Sequence, residues 1–324
     1  MPAMLSQTDF HIDTQLCTGC GACAKACPMH ILEVRDGLST MTASRLCLEC
    51  GSCMRACPQH AIAVSKGQGA GTDAVPAAEG AGAAVTFTHV LDAVMAIAAE
   101  ELNPRQVFSY NGMDLSDLNV IQTEDACGFA RCYTVGKLLK MYQSRFTFFG
   151  QMCVDVFGLV PAPEYDLPIF MFDWSEAEDS IFYICDFYPT DDPGRNQDYL
   201  ARYLYEPLEE LYQSYSSIPG LRPIPLHWVR ALNSPYMISG HIDKEPRENI
   251  GRLFNCTLDY LRAWIGLWKK AVPCDMRSQQ MQLVTERRRV LRDLYLENDP
   301  GIGSINKFIG EEKGARVLKL IIPE

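Results

Sequence analysis

The sequence predicts an α+β protein in two parts: a small cysteine-rich N-terminal domain, and a larger domain in which helices cover a central antiparallel sheet. Three observations carry this. Eight of the 14 cysteines fall between Cys17 and Cys57, in two runs of identical spacing. A stretch of mostly Gly and Ala, residues 67–84, separates that region from the rest. Beyond it, several strand-like runs precede two long helical patterns, the order of an antiparallel α+β domain rather than of alternating βαβ units.

The first 66 residues form the first domain, and they contain an internal repeat at an offset of 30. Leu16-Cys17-Thr18-Gly19-Cys20-Gly21-Ala22-Cys23 returns as Leu46-Cys47-Leu48-Glu49-Cys50-Gly51-Ser52-Cys53, and Ala26-Cys27-Pro28 returns as Ala56-Cys57-Pro58. Each half ends in an apolar stretch suited to a strand, Ile31 to Val34 and Ala61 to Val64, so a pseudo-twofold domain is expected. Residues 67–84 have no hydrophobic periodicity and read as a flexible linker, with a mean span on the order of 20–25 Å. The second domain runs from Val85 to Glu324. His89 to Leu102 reads as a helix, because Val90, Val94 and Ile97 share a face. Strand-like runs follow at Arg131 to Val135, Ser144 to Val160, Leu167 to Asp173 and Ser180 to Phe187. Helical periodicity then marks Asp198 to Tyr215, Glu245 to Lys270 and Arg277 to Glu297. Arg316 to Ile322 is expected to close the chain as a strand.

Composition narrows the function. The chain has 324 residues, 48% hydrophobic and 21% charged, with a net charge of −11. That is a globular composition. The negative charge argues against a nucleic-acid partner, which needs clustered Lys and Arg. No apolar run approaches the roughly 20 residues that span a bilayer, so no membrane partner is expected. Met1 to His11 lacks a basic stretch followed by an apolar core, so a cytoplasmic location is expected. No strand is followed by G-x-G-x-x-G and no phosphate loop is present, so electrons should arrive from a protein donor rather than a nicotinamide.

The runs Cys17-x-x-Cys20-x-x-Cys23-x-x-x-Cys27-Pro28 and Cys47-x-x-Cys50-x-x-Cys53-x-x-x-Cys57-Pro58 have the spacing that holds [4Fe–4S] clusters. Three close thiolates wrap one cluster and the fourth serves the other. Cys17, Cys20, Cys23 and Cys57 are therefore expected on one cluster, and Cys47, Cys50, Cys53 and Cys27 on the second. Zinc sites pair their ligands across longer gaps. Residues Asp9 to Lys66 resemble bacterial two-cluster ferredoxins. The other six cysteines show no ligand spacing and read as small buried hydrophobes.

The region from Glu124 onward resembles the ferredoxin-dependent bilin reductases. The resemblance rests first on Pro161-Ala162-Pro163-Glu164-Tyr165-Asp166-Leu167-Pro168-Ile169-Phe170-Met171-Phe172-Asp173. It extends to Cys132-Tyr133, Lys140-Met141, Ile184 to Pro189, Asn233-Ser234-Pro235-Tyr236, Cys274 to Arg277, Arg288 to Leu291 and the C-terminal Leu320 to Glu324. The resemblance implies an α/β/α sandwich holding a linear tetrapyrrole such as biliverdin between the sheet and the C-terminal helices. It places Asp173 at the family's central proton donor and Asp275 at a second acid, with Ser234, Pro235 and Tyr236 at the substrate. It also aligns Val156 with a position where other members carry His or Asn. Valine donates no proton, and the adjacent Asp155 should face the other way unless a bulge shifts the register.

Two further groups are candidates for the substrate's surroundings. Lys137, Lys140, Arg145, Arg222 and Arg230 could meet its propionates, although each reads more readily as an ordinary surface charge. Trp228, Trp264 and Trp268 could wall a pocket or simply fill the core. The expected activity is reduction of a linear tetrapyrrole at a CH–CH group, using the chain's own two [4Fe–4S] clusters fed by an upstream protein donor. The alternatives are reduction of another tetrapyrrole or conjugated substrate, and a non-catalytic electron-relay or binding module.

Overall fold

The computed structural model describes residues 8–27, 31–42, 52–66, 87–224, 227–299 and 301–322. It divides into two compact units, Met1–Ala84 with Pro300–Lys307, and Val85–Asp299 with Phe308–Glu324. The linker expected at 67–84 lies outside the described residues.

The N-terminal unit contains β1 (Thr8–Ile12), α1 (Ala22–Ala26), β2 (Leu32–Arg35), β3 (Leu38–Met41), α2 (Ser52–Ala56) and β4 (Ile62–Lys66). Strands β1 and β4 pair antiparallel, and so do β2 and β3. A shift of 30 residues carries β1 onto β3, α1 onto α2 and β2 onto β4. The repeat in the sequence is therefore a repeat in space, each half supplying one strand to each pair. Its core is small: Ile31, Leu32, Ala61 and Ile62 pack among Cys23, Cys27, Cys53 and Cys57.

The second unit begins with α3 (Val90–Leu102). Short strands β5 (Arg105–Val107), β6 (Ser109–Tyr110), β7 (Met113–Asp114) and β8 (Ile121–Gln122) follow. The long strands are β9 (Ala126–Thr134), β10 (Leu138–Phe148), β11 (Met152–Pro161), β12 (Ile169–Glu176) and β13 (Ser180–Tyr188). After them come α4 (Gln197–Tyr199), a π-helical stretch Leu200–Tyr205, α5 (Glu206–Tyr215), α6 (His227–Leu232) and β14 (Ile238–Asp243). The unit closes with α7 (Glu248–Lys270), α8 (Gln279–Asn298) and α10 (Glu311–Ile321), while most of the intervening α9 (Gly301–Ile309) is grouped with the first unit.

Among the described residues the sheet runs β14-β13-β12-β11-β10-β9-β5, antiparallel throughout, with β8 also on β9. Helices α3, α5 and α7 lie on one face. There Phe157, Phe170, Phe172, Trp174, Tyr183 and Phe187 interlock with Val94, Leu208, Leu253, Tyr260 and Trp264. Helices α8 and α10 cover the other face, and Tyr295 of α8 donates to Tyr188 of β13 at 2.6 Å. The result is the expected α/β/α sandwich.

One element differs from expectation. Residues 316–322 are not a strand but the end of α10. Its buried positions, Gly314, Val317, Leu318 and Leu320, follow a helical face. Glu311 and Glu312 in the first turn and Lys319 in the last suit the helix dipole. The single run read at Ser144 to Val160 resolves into β10 and β11, joined by a turn in which Phe149 and Gly150 take positive φ.

Candidate active site and cluster cradle

In the N-terminal unit, Asp13 accepts from the backbone of Gln15 and Cys17 and turns the chain toward the first cysteine. Gly19 takes φ +63°, and a Cβ there would overlap the carbonyl of Gly37. Only glycine meets both demands at once. Helix α1 then carries Cys23 inward. Cys17, Cys20, Cys23 and Cys57 line one pocket with Gly21, Ser39 and Ile62. Three cysteines of the first run and the last of the second thus meet, as the motif requires. Ala61 N–H donates to Cys57 Sγ at 3.3 Å, and Ser39 Oγ lies 3.1 Å from Cys23 Sγ. The N–H of Ala22 holds the Cys20 thiol below its ordinary pKa, favouring the ligating thiolate.

No three ligating side chains among the described residues could share one metal ion. A cubane makes no such demand, since each of its four irons takes one thiolate. Four thiols around an apolar pocket, with backbone N–H donors at the sulfurs, fit an iron–sulfur cluster. Cys27 and Cys53 are buried, whereas Cys47 and Cys50, expected beside them, lie outside the described residues.

In the second unit, strand alternation decides the site. Asp173 stands opposite Val156 on β11 and Ile184 on β13. The row continues to Ser144 and Ala130 on one side and to Ser239 on the other. Val154, Val156, Asp173, Ser175, Phe182 and Ser239 all remain half-buried on this face, while their neighbours Asp155, Phe172, Trp174 and Tyr183 are buried on the other. The helices therefore leave an open strip on one face of the sheet, with Asp173 in its floor. The residue is half-buried, and protein walls its carboxyl closely. That burial raises its pKa to about 7, against the lowering effect of Ser175. Ser175 Oγ donates to Asp173 Oδ1 at 2.8 Å.

The other expected site residues fall elsewhere. Asp275 is 67% exposed, and its Oδ1 accepts from Arg277 N–H at 3.0 Å in the turn before α8. The structure does not bring it beside Asp173. Ser234 is buried, and both its N–H (2.7 Å) and its Oγ (2.5 Å) are given to Asp186. Tyr236 packs edge-on against Tyr212 of α5, and its carbonyl accepts from Tyr260 of α7, both on the layer opposite the strip. Pro235 is exposed. This Ser-Pro-Tyr segment thus fastens the loop before β14, and its polar atoms are spent within the protein.

The cations are similarly engaged. Lys140 is fully buried and donates to the carbonyls of Lys319 and Ile322, closing α10. Lys137 does the same for α7 through the carbonyls of Trp268, Lys269 and Ala271. Arg145 holds Asp155 and Asp92, and Arg222 holds Asp243. Arg230 is exposed. Trp264 and Trp268 donate to the carbonyls of Pro168 and Gly136 and belong to the α7 layer, whereas Trp228 packs on Tyr295. Sequence reasoning missed Ser175. Its signal was available in the i,i+2 spacing from Asp173, which puts both side chains on one face.

Asp155 faces away from the strip, with no bulge to turn it. It takes two bonds from Arg145 and one from the N–H of Leu91 at the start of α3. Its charge sits at the positive end of that helix.

These features define a class: a thiolate-lined cluster domain joined to a helix-covered antiparallel sheet with a protonatable acid in its floor. Residues 16–62 match the family of 4Fe-4S dicluster domains, and residues 115–322 match the ferredoxin-dependent bilin reductases. The chain belongs to the ferredoxin-dependent bilin reductase family, and is thereby an oxidoreductase acting on a bilin. Its fold is similar to that of phytochromobilin synthase from tomato, solved in complex with biliverdin. The likeness has a TM-score of 0.62 at 20% identity and covers 72% of this chain and 81% of that one. No curated protein sequence matches the chain.

Proposed function

We propose that this chain is a bilin reductase that carries its own electron donor. In this reading the N-terminal domain binds two [4Fe–4S] clusters, reduced by an upstream protein, and a linear tetrapyrrole such as biliverdin lies on the strip above Asp173. When bound, the clusters supply single electrons. The protein's own part is to exclude water, orient the bilin and hold a proton on Asp173. Each electron added to the bilin calls for a proton, and a carboxyl that titrates near neutrality can deliver one. The half-buried Asp173, with its raised pKa on the open face, is the observation that carries the reading. The tomato protein's complex with biliverdin supports the choice of substrate. Asp275, whose Oδ1 accepts from Arg277 N–H, would serve a second proton from its exposed carboxyl.

Val156 beside Asp173 favours a second reading, in which the substrate is a different tetrapyrrole or a different double bond is reduced. One experiment tests both. The full chain, with its iron–sulfur content restored, is reduced anaerobically with biliverdin, and the product is identified by absorption and mass. A gain of two or four hydrogens on the bilin is the expected result. An unchanged bilin spectrum on titration with several bilins would overturn both readings.

A further inference from the structure

Proton delivery by Asp173 leaves a carboxylate in a place that disfavours one. Its O–H bond breaks, a bond from that proton to the one-electron-reduced bilin forms, and the electron comes from the iron–sulfur donor. The charge that remains on Asp173 lies in a desolvated floor, where an uncompensated carboxylate is costly. The two oxygens of the carboxyl must also be told apart, because only a proton aimed at the open strip can be used.

Ser175 meets both needs. It lies two residues along β12, so its side chain shares the face of Asp173, and it remains half-buried on the same strip. Its hydroxyl donates to Asp173 Oδ1 at 2.8 Å. Among the described residues it is the one side chain hydrogen-bonded to that carboxyl. Val154 and Phe182, its register neighbours on β11 and β13, carry no competing polar group. An oxygen that accepts from Ser175 keeps its lone pair occupied, which leaves the proton to Oδ2. After transfer the same hydroxyl faces a charged acceptor, and such bonds are stronger than neutral ones.

We propose that Ser175 is a positioning residue for the proton donor: it fixes the proton of Asp173 on Oδ2 and stabilises the carboxylate left after transfer. This rests on the reading of Asp173 as the donor. The other titratable groups whose charge reaches Asp173 are Asp299 beyond α8, Asp155 on the opposite face of β11, Tyr142 on β10 and Tyr188 on β13. None of them donates a hydrogen bond to it. Ser175 is thus the group that opposes the effect of burial.

The test compares the full chain with Ser175→Ala, Ser175→Thr and Asp173→Asn. The protonation of Asp173 is followed in the bilin-free protein by the infrared carbonyl stretch that Asp173→Asn abolishes. In Ser175→Ala its midpoint should rise by about one pH unit, because the bond that favours the ionised form is gone. With bilin, kcat should fall about 10- to 100-fold while the bilin Kd stays within about twofold. Ser175→Thr keeps the hydroxyl on a residue that suits a strand, and should restore both midpoint and kcat to within about threefold. An unmoved midpoint in Ser175→Ala, a loss confined to Kd, or failure of Thr to restore the midpoint would overturn the proposal. Full activity in Asp173→Asn would instead overturn the donor reading, while the midpoint measurement still reports on Ser175.

Discussion

Val156 on β11 and Asp173 on β12 are direct register partners, with their side chains on the same face of the sheet. Directly opposed positions hold their Cβ atoms about 4.5–5.5 Å apart. The nearest cross-strand neighbour of Asp173 on that side is therefore aliphatic, and the acid one residue away, Asp155, is spent on Arg145 and α3.

A second donor placed at that position should change the chemistry. Val156→His is expected to bind bilin and to raise the share of a more reduced or differently reduced product. Product absorption and mass after exhaustive reduction check this. An unchanged product spectrum would show that the position does not face the reacting carbons.

Asp173→Asn should still bind bilin, because the amide keeps the shape and can hydrogen-bond. It should lose about 10²–10⁴ in rate, the usual cost of one general acid. A one-electron-reduced bilin that persists for many parent turnovers, followed by its absorption and spin resonance, is the expected signature.

The same substitution makes a stability prediction. The folded-state pKa of Asp173 is raised to about 7, above the ordinary carboxyl value of the unfolded chain. Below about pH 4 both states are protonated and the group costs nothing. As pH rises toward 7 the unfolded chain ionises first, so the parent loses stability, and above 7 the loss levels off. Asn does not titrate. The melting temperature of Asp173→Asn relative to the parent should therefore climb between about pH 4 and 7 and then plateau. Discounted for the partial exposure of the residue, the group should contribute about 1–2 kcal/mol. A flat difference across that range would mean that Asp173 titrates normally.

Asp155 gives a contrasting result. Removing its charge with Asp155→Asn leaves Arg145 half-partnered, at a cost of about 3–5 kcal/mol. Activity should fall only as far as folding falls, and bilin binding measured well below the melting temperature should match the parent. A loss of rate in fully folded Asp155→Asn would restore Asp155 as a proton donor.

In the N-terminal unit, Cys57→Ser should remove one ligand from the pocket that also holds Cys17, Cys20 and Cys23. Iron and sulfide, about eight of each per chain with both clusters bound, should fall toward about four. An unchanged content would mean that Cys57 does not serve that cluster.

The sequence by itself determined the cluster domain. Ligand spacing is a local property, and a repeat offset of 30 must fold into equivalent halves if its hydrophobic positions are to be buried together. It also determined that Asp155 and Asp173 lie on opposite faces, because strand alternation follows from backbone geometry and the register carries no bulge to undo it. Only the tertiary structure decided the rest. Residues 316–322 are apolar enough for a strand, and the helical form of 316–321 depends on a face packed against the sheet and on Lys140 donating to the carbonyls of Lys319 and the capping Ile322. Asp275, Ser234 and Tyr236 carry the family's pattern, but their partners are Arg277, Asp186 and Tyr212. Two of those partners lie more than twenty residues away along the chain. Which hydroxyl meets Asp173, and which face the helices leave open, are questions of packing between distant segments, and that packing sets the dielectric around a carboxyl and with it the pH at which its proton becomes available.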